Sequence, residues 1–130
     1  MKNLLSIFLL YVVAFAACAE DHAEATFQTR VHDFGVIAEE KGPVSVTFEF
    51  SNTGTKPLLI VDAMASCGCT RPEYPTSPIK PGKKGKIKVT YSPLGRPGPF
   101  RKTVKVITNG RQRTIPLVIE GTVRPKSKKK

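Results

Sequence analysis

Val44-Ser45-Val46-Thr47-Phe48-Glu49-Phe50 alternates apolar and polar side chains without a fault. Successive side chains of a strand point to opposite faces, so this stretch buries one face and wets the other. Lys86-Ile87-Lys88-Val89-Thr90-Tyr91 repeats the pattern with lysines outward. Val104 and Val106, within Phe100 to Thr108, point inward with Lys105 between them. Ile115, Leu117 and Ile119 line one face of a last strand. An opening strand is expected near Phe27 to Val31 and a short one near Thr70 to Tyr74. Leu58-Leu59-Ile60-Val61 is apolar throughout, as in a strand covered on both sides or crossing between sheets. Beyond Ala19 no window carries a 3.6-residue period. The expected fold is an all-β, immunoglobulin-like antiparallel sandwich of about seven strands.

The punctuation agrees. Asn109-Gly110 predicts a tight hairpin turn with positive φ at both central positions. Asn52-Thr53-Gly54-Thr55 turns the chain between two other strands, and Pro81-Gly82 and Pro97-Gly98-Pro99 mark loops. Pro116 cannot donate to a ladder, which predicts an edge or a bulge in the last strand.

The beginning of the chain carries an address. Lys2 precedes an apolar run from Leu4 to Ala17, followed by Ala17-Cys18-Ala19. That order is a secretory leader, and the run is short for a permanent membrane span. Two processing routes fit: cleavage after Ala19, or acylation of Cys18 within a lipobox read from Phe15-Ala16-Ala17-Cys18. The expected organisation is a leader over 1–19, a flexible acidic linker over 20–26, an immunoglobulin-like domain over 27–123 and a basic tail over 124–130. The expected location is outside the cytoplasm, periplasmic or anchored to the outer membrane of a Gram-negative bacterium.

Charge is unevenly spread. From Glu20 to Thr70 there are three basic and eight acidic residues; from Arg71 to Lys130 there are seventeen and two. Lysines on exposed strand faces keep edges unpaired and the domain soluble. The tail residues Arg124, Lys126, Lys128, Lys129 and Lys130 are candidate contacts for anionic lipid or glycan, the polyanions expected outside the cytoplasm in place of nucleic acid.

Ser66-Cys67-Gly68-Cys69-Thr70 is the one chemically suggestive cluster beyond the leader. In an extended chain the Cys67 and Cys69 Cα atoms would lie roughly 6.5 to 7 Å apart, at the limit of a relaxed bridge. A disulfide therefore needs a bend, which Gly68 permits. Three states stay open: small buried thiols, a reducible disulfide, or two thiolates on a soft ion such as Cu(I) or Zn²⁺. A closed zinc site needs about four donors, and His22 and His32 are the remaining imidazoles.

The ordered series Asp33-Phe34-Gly35-Val36-Ile37, Phe48-Glu49-Phe50-Ser51-Asn52-Thr53-Gly54, Pro57-Leu58-Leu59-Ile60, Cys67-Gly68-Cys69-Thr70-Arg71-Pro72, Ile79-Lys80-Pro81-Gly82, Gly98-Pro99-Phe100-Arg101-Lys102 and Thr108-Asn109 resembles the bacterial domain of unknown function numbered fifteen seventy-three. The resemblance runs from about Phe27 to Val123. It implies a secreted or lipid-anchored immunoglobulin-like domain of the envelope and no established activity. The Asn52-Thr53-Gly54 segment is also similar to motifs in major-sperm-protein-like and cilia-associated sandwich domains, which implies shared fold only.

No G-x-S-x-G elbow, phosphate-cradling glycine loop or H-E-x-x-H occurs. A cysteine nucleophile paired with His32 would lack an orienting third group. The expected role is a non-enzymatic module that binds an envelope protein by lending or accepting a strand near Pro116. The alternative is a thiol site at Cys67 and Cys69 for copper or zinc binding or redox sensing.

Overall fold

Alternation resolves into eight strands: β1 (Ala25–Phe27), β2 (Val31–Ala38), β3 (Val44–Asn52), β4 (Ile60–Ala65), β5 (Thr70–Glu73), β6 (Lys84–Tyr91), β7 (Gly98–Thr108) and β8 (Thr114–Arg124). The structure, a computed structural model, describes residues 20–127. Two four-stranded sheets face each other, ordered β1-β3-β6-β5 and β2-β8-β7-β4. Phe48, Phe50, Ile87, Val89 and Tyr91 of the first sheet meet Val104, Val106, Ile115, Leu117 and Ile119 of the second. Among the described residues, no helix is long and apolar enough to cross a membrane.

The sandwich is mixed where an antiparallel one was expected. β2 runs parallel to β8, from Val31 opposite Val118 to Ala38 opposite Arg124. The expected opening strand near Phe27 to Val31 is really a change of layer, because β1 ends in one sheet and β2 starts in the other. β2 bulges between Asp33 and Val36. The Gly35 N–H donates to Asp33 Oδ1 at 2.8 Å, and Gly35 has φ of 69°, which only glycine adopts cheaply.

The flexible linker over 20–26 is corrected by main-chain stitching. The N–H groups of Thr55 and Lys56 donate to His22 O, that of Thr53 to Glu24 O and that of Arg111 to Ala23 O. Ala23 and Ala25 are buried, so order begins before the expected boundary at Phe27.

Pro116 does not make β8 an edge, because β8 lies between β2 and β7. The parity of the ladder explains why proline fits. Val118 N–H donates to Arg30 O, and Pro116 shares that direction, where β2 has not yet begun. No ladder bond is lost, and only Thr114 to Leu117 is open on one side.

The β7–β8 connection was expected at Asn109-Gly110, and it is there, but as a longer loop without positive φ at either residue. Gly110 is needed for closeness: a Cβ there would sit 2.8 Å from Ala23 O. Asn109 reaches sideways, accepting from Leu59 N–H and donating to Pro57 O. Nor is Leu58 to Val61 covered on both sides. Leu58 and Ile60 are buried, whereas Val61 is 54% exposed.

Tyr91 stacks on Phe100, ring centroids 4.1 Å apart with 16° between planes. Burial pushes its phenol above the ordinary value of 10.0, with the Arg96 guanidinium pulling partly back. A group whose folded value is raised stabilises fully below the unfolded value, and that stability is lost as pH rises through the folded one. The urea midpoint should therefore hold to about pH 9 and fall above about pH 10. Tyr91→Phe should lose less over the same interval; an equal loss would place the alkaline sensitivity elsewhere.

Candidate functional site

β4 and β5 are consecutive in sequence yet stand at the edges of opposite sheets, on the same side of the sandwich. The crossover between them, Ser66 to Cys69, holds the two sulfurs. Thr70 N–H donates to Cys67 O at 3.1 Å, which closes a tight turn over Gly68 and Cys69. The turn brings the Cys67 and Cys69 Cα atoms to 5.1 Å, and the sulfurs are bonded to each other. That separation is shorter than the extended chain allows. Gly68 reaches the bend without a positive φ, and a Cβ there would meet open space.

The two sulfurs differ in surroundings. Cys69 is 7% exposed, its carbonyl accepts from Ser92 N–H, and its Sγ lies 3.6 Å from Thr70 Oγ1. Cys67 is half-buried, and its Sγ accepts the Cys69 N–H at 3.2 Å. A small pocket of about 160 Å³ borders the turn, lined by Pro43, Gly68, Cys69, Arg71, Thr90 and Ser92. A recess of about 300 Å³ lies along β4 and β7, lined by Met64, Ala65, Ser66, Thr103 and Lys105, and reaches the residue before Cys67.

A bridge that closes three residues removes little freedom from the unfolded chain, about 1.6 kcal/mol on the loop-entropy view against about 3 for fifteen residues. Its chemistry matters more than its stapling. Bonded to each other, the sulfurs offer no thiolate to Cu(I) or Zn²⁺. Among the described residues, no three His, Cys, Asp or Glu side chains gather where they could hold a metal ion. His22 Nε2 lies 3.3 Å from Glu24 Oε2, and His32 sits edge-on to Phe34 with centroids 4.6 Å apart.

The remaining sequence candidates are dispersed. Arg124 ends β8, exposed, and Lys126 N–H donates to Glu39 Oε2 at 3.0 Å. Cys18 and Lys128, Lys129 and Lys130 lie outside the described residues.

Sequence reading missed the outer face of the second sheet. Among the described residues the large exposed apolar side chains are Val31, Val36, Val61, Met64 and Leu94, four of them on β2 and β4 and none on the first sheet's strands. Ladder parity places Met64 beside Lys105 and Pro116, and Val31 beside Val118 and Thr103, all pointing away from the core. The first sheet shows water Ser45, Thr47, Lys84, Lys86, Lys88 and Arg71 instead. A bulge between Ile60 and Asp62 breaks the alternation of β4, so its outward residues could not be read by counting.

Fold and site together define an all-β, immunoglobulin-like sandwich carrying a disulfide turn between two edge strands. The chain belongs to the protein family of unknown function DUF1573, whose sequence profile matches residues 25–123. No catalytic family is indicated. Comparison with curated proteins finds no significant match. Among solved structures, a protein of unknown function from Porphyromonas gingivalis W83 is similar with a TM-score of 0.68 at 14% identity, over 82% of this chain and 50% of that one. The secreted serine protease VesC from Vibrio cholerae follows at 0.57 and 9% identity, over 76% and 23%. The YadV chaperone is similar at 0.52 and 18% identity, over 82% and 54%. At these identities the likeness is one of fold, and the chain spans roughly half the length of those proteins or less.

Proposed function

We propose that this chain is a non-catalytic module of the cell envelope that docks a protein partner on the outer face of the β2-β8-β7-β4 sheet. One observation carries the reading: exposed apolar side chains are concentrated on that face, whereas the opposite sheet is clad in lysine, serine and threonine. Val31 and Val36 on β2 and Val61 and Met64 on β4 flank the outward Val118 and Pro116 of β8, and apolar side chains gathered on one face of a small domain mark a contact site. The open side of β4 adds unpaired main-chain groups beside Val61 and Met64, to which an extended partner segment can add a strand. The envelope address rests on the leader at 1–19, and a disulfide suits an oxidising compartment.

The double substitution Val61→Asp and Met64→Asp should weaken capture of a specific envelope partner by about a hundredfold, near 2.7 kcal/mol, because two desolvated contacts are lost. Lys86→Glu with Lys88→Glu on the other sheet should leave capture within about twofold. Capture lost from the lysine face and kept by the aspartate variant would overturn the proposal. Circular dichroism on both variants checks that each is folded.

A further inference from the structure

We infer that Cys67–Cys69 is an exchangeable disulfide: Cys67 Sγ is the sulfur attacked by a thiolate of the docked polypeptide, and Cys69 Sγ is the leaving sulfur. The polypeptide half of this inference rests on the docking face proposed above; the sulfur half does not. Three features of the turn point the same way. The bridge joins residues two apart on a crossover, so it ties no distant elements together. Cys67 is the more accessible of the two residues, half-buried where Cys69 is 7% exposed. Each sulfur has a donor for the charge it acquires during exchange. The Cys69 N–H is aimed at Cys67 Sγ at 3.2 Å, and the Thr70 hydroxyl lies 3.6 Å from Cys69 Sγ. Such donors stabilise a developing thiolate.

The recess lined by Met64, Ala65, Ser66, Thr103 and Lys105 reaches Ser66, the residue that precedes Cys67. It offers apolar contact to residues flanking an incoming cysteine, and the Lys105 ammonium favours an approaching anion.

The exchange balances as two steps. A thiolate of the polypeptide attacks Cys67 Sγ, and the S–S bonding pair passes to Cys69 Sγ, which leaves as a thiolate and takes a proton from water. A second thiolate of the same polypeptide then attacks its own sulfur in the mixed disulfide and expels Cys67 as a thiolate, held by the Cys69 N–H. The polypeptide loses two electrons and two protons to become a disulfide, and Cys67 and Cys69 end as two thiols.

Purified mature chain tests the two halves separately. The Cys69→Ser variant keeps the residue 69 N–H, and with glutathione disulfide it should form a mixed disulfide at Cys67 about tenfold faster than Cys67→Ser forms one at Cys69. Reduced wild type, exposed briefly to iodoacetamide and mapped by mass spectrometry, should carry the label first on Cys67. Equal rates at the two sulfurs in either experiment would overturn the assignment. For the polypeptide half, the oxidised wild type should oxidise a dithiol peptide with apolar flanks about tenfold faster than it oxidises glutathione at equal thiol concentration. Met64→Asp should bring the peptide rate down to the glutathione rate measured on the same variant. No preference for the peptide, with Cys67 still the faster sulfur, would remove the docking half alone.

Discussion

Asn52→Leu should cost about 3 to 5 kcal/mol of unfolding free energy, a large share of the stability of a domain this size. Asn52 is 0% exposed, and its amide uses every hydrogen-bonding position it has. Nδ2 donates to Lys56 O at 2.8 Å and Ile79 O at 2.9 Å, while Oδ1 accepts from Gly54 N–H at 3.0 Å and Glu24 N–H at 3.3 Å. Ile79 O keeps the Leu58 N–H when the amide is gone. Lys56 O, Gly54 N–H and Glu24 N–H would be left without a protein partner. Leucine has the same branching and is no smaller, so the loss does not come from a cavity. Asn52→Asp should be at least as damaging near neutral pH, because a carboxylate would face two carbonyl oxygens. Urea melts followed by circular dichroism measure both; a loss under about 1 kcal/mol for leucine would show that water replaces the amide.

Gly85→Ala should destabilise by about 2 to 3 kcal/mol even though β6 is extended there and alanine is otherwise acceptable in a strand. Gly85 lies opposite Phe50 in the β3–β6 ladder, and the Phe50 ring covers its Cα. A Cβ at residue 85 would come close to three ring atoms, and something must move. The ring has nowhere to go: Phe50 is buried and tilts against Phe27 with centroids 5.1 Å apart. Phe50→Leu alone should lose about 1 to 3 kcal/mol through lost contact. Combined with Gly85→Ala it should lose less than the sum by about 1 kcal/mol or more, since the shorter side chain clears the new methyl. Strict additivity would mean that the clash is relieved by backbone movement instead.

Much of this fold could be read from alternation, and the exceptions share a cause. β3, β6, β7 and the inner face of β8 follow period two because each buries one side against the same core. β1 and β2 escaped because a change of layer within a few residues leaves no periodic window, and the glycine bulge at Gly35 resets β2's phase. Parallel pairing of β2 with β8 depends on residues far apart in sequence, and no local pattern encodes it. Asn52 was legible as a turn residue, but its inward side chain was not, since turn chemistry and hub chemistry use the same amide. At the candidate site, the cysteines were visible at once. Their bonded state was not, because extended geometry argues against a bridge and only the turn closed by Cys67 O and Thr70 N–H permits one. The apolar face of the second sheet was hidden by the bulge in β4.

The partnership of β2 with β8 also bears on when this molecule can assemble. As a ribosome extends the polypeptide, Val31 to Ala38 gains its neighbour only after Val118 to Arg124 has been made, so the second layer stays incomplete until all the other strands exist. Until then the inner face of β2, with His32 and Ile37, has no strand beside it to hold it against the core.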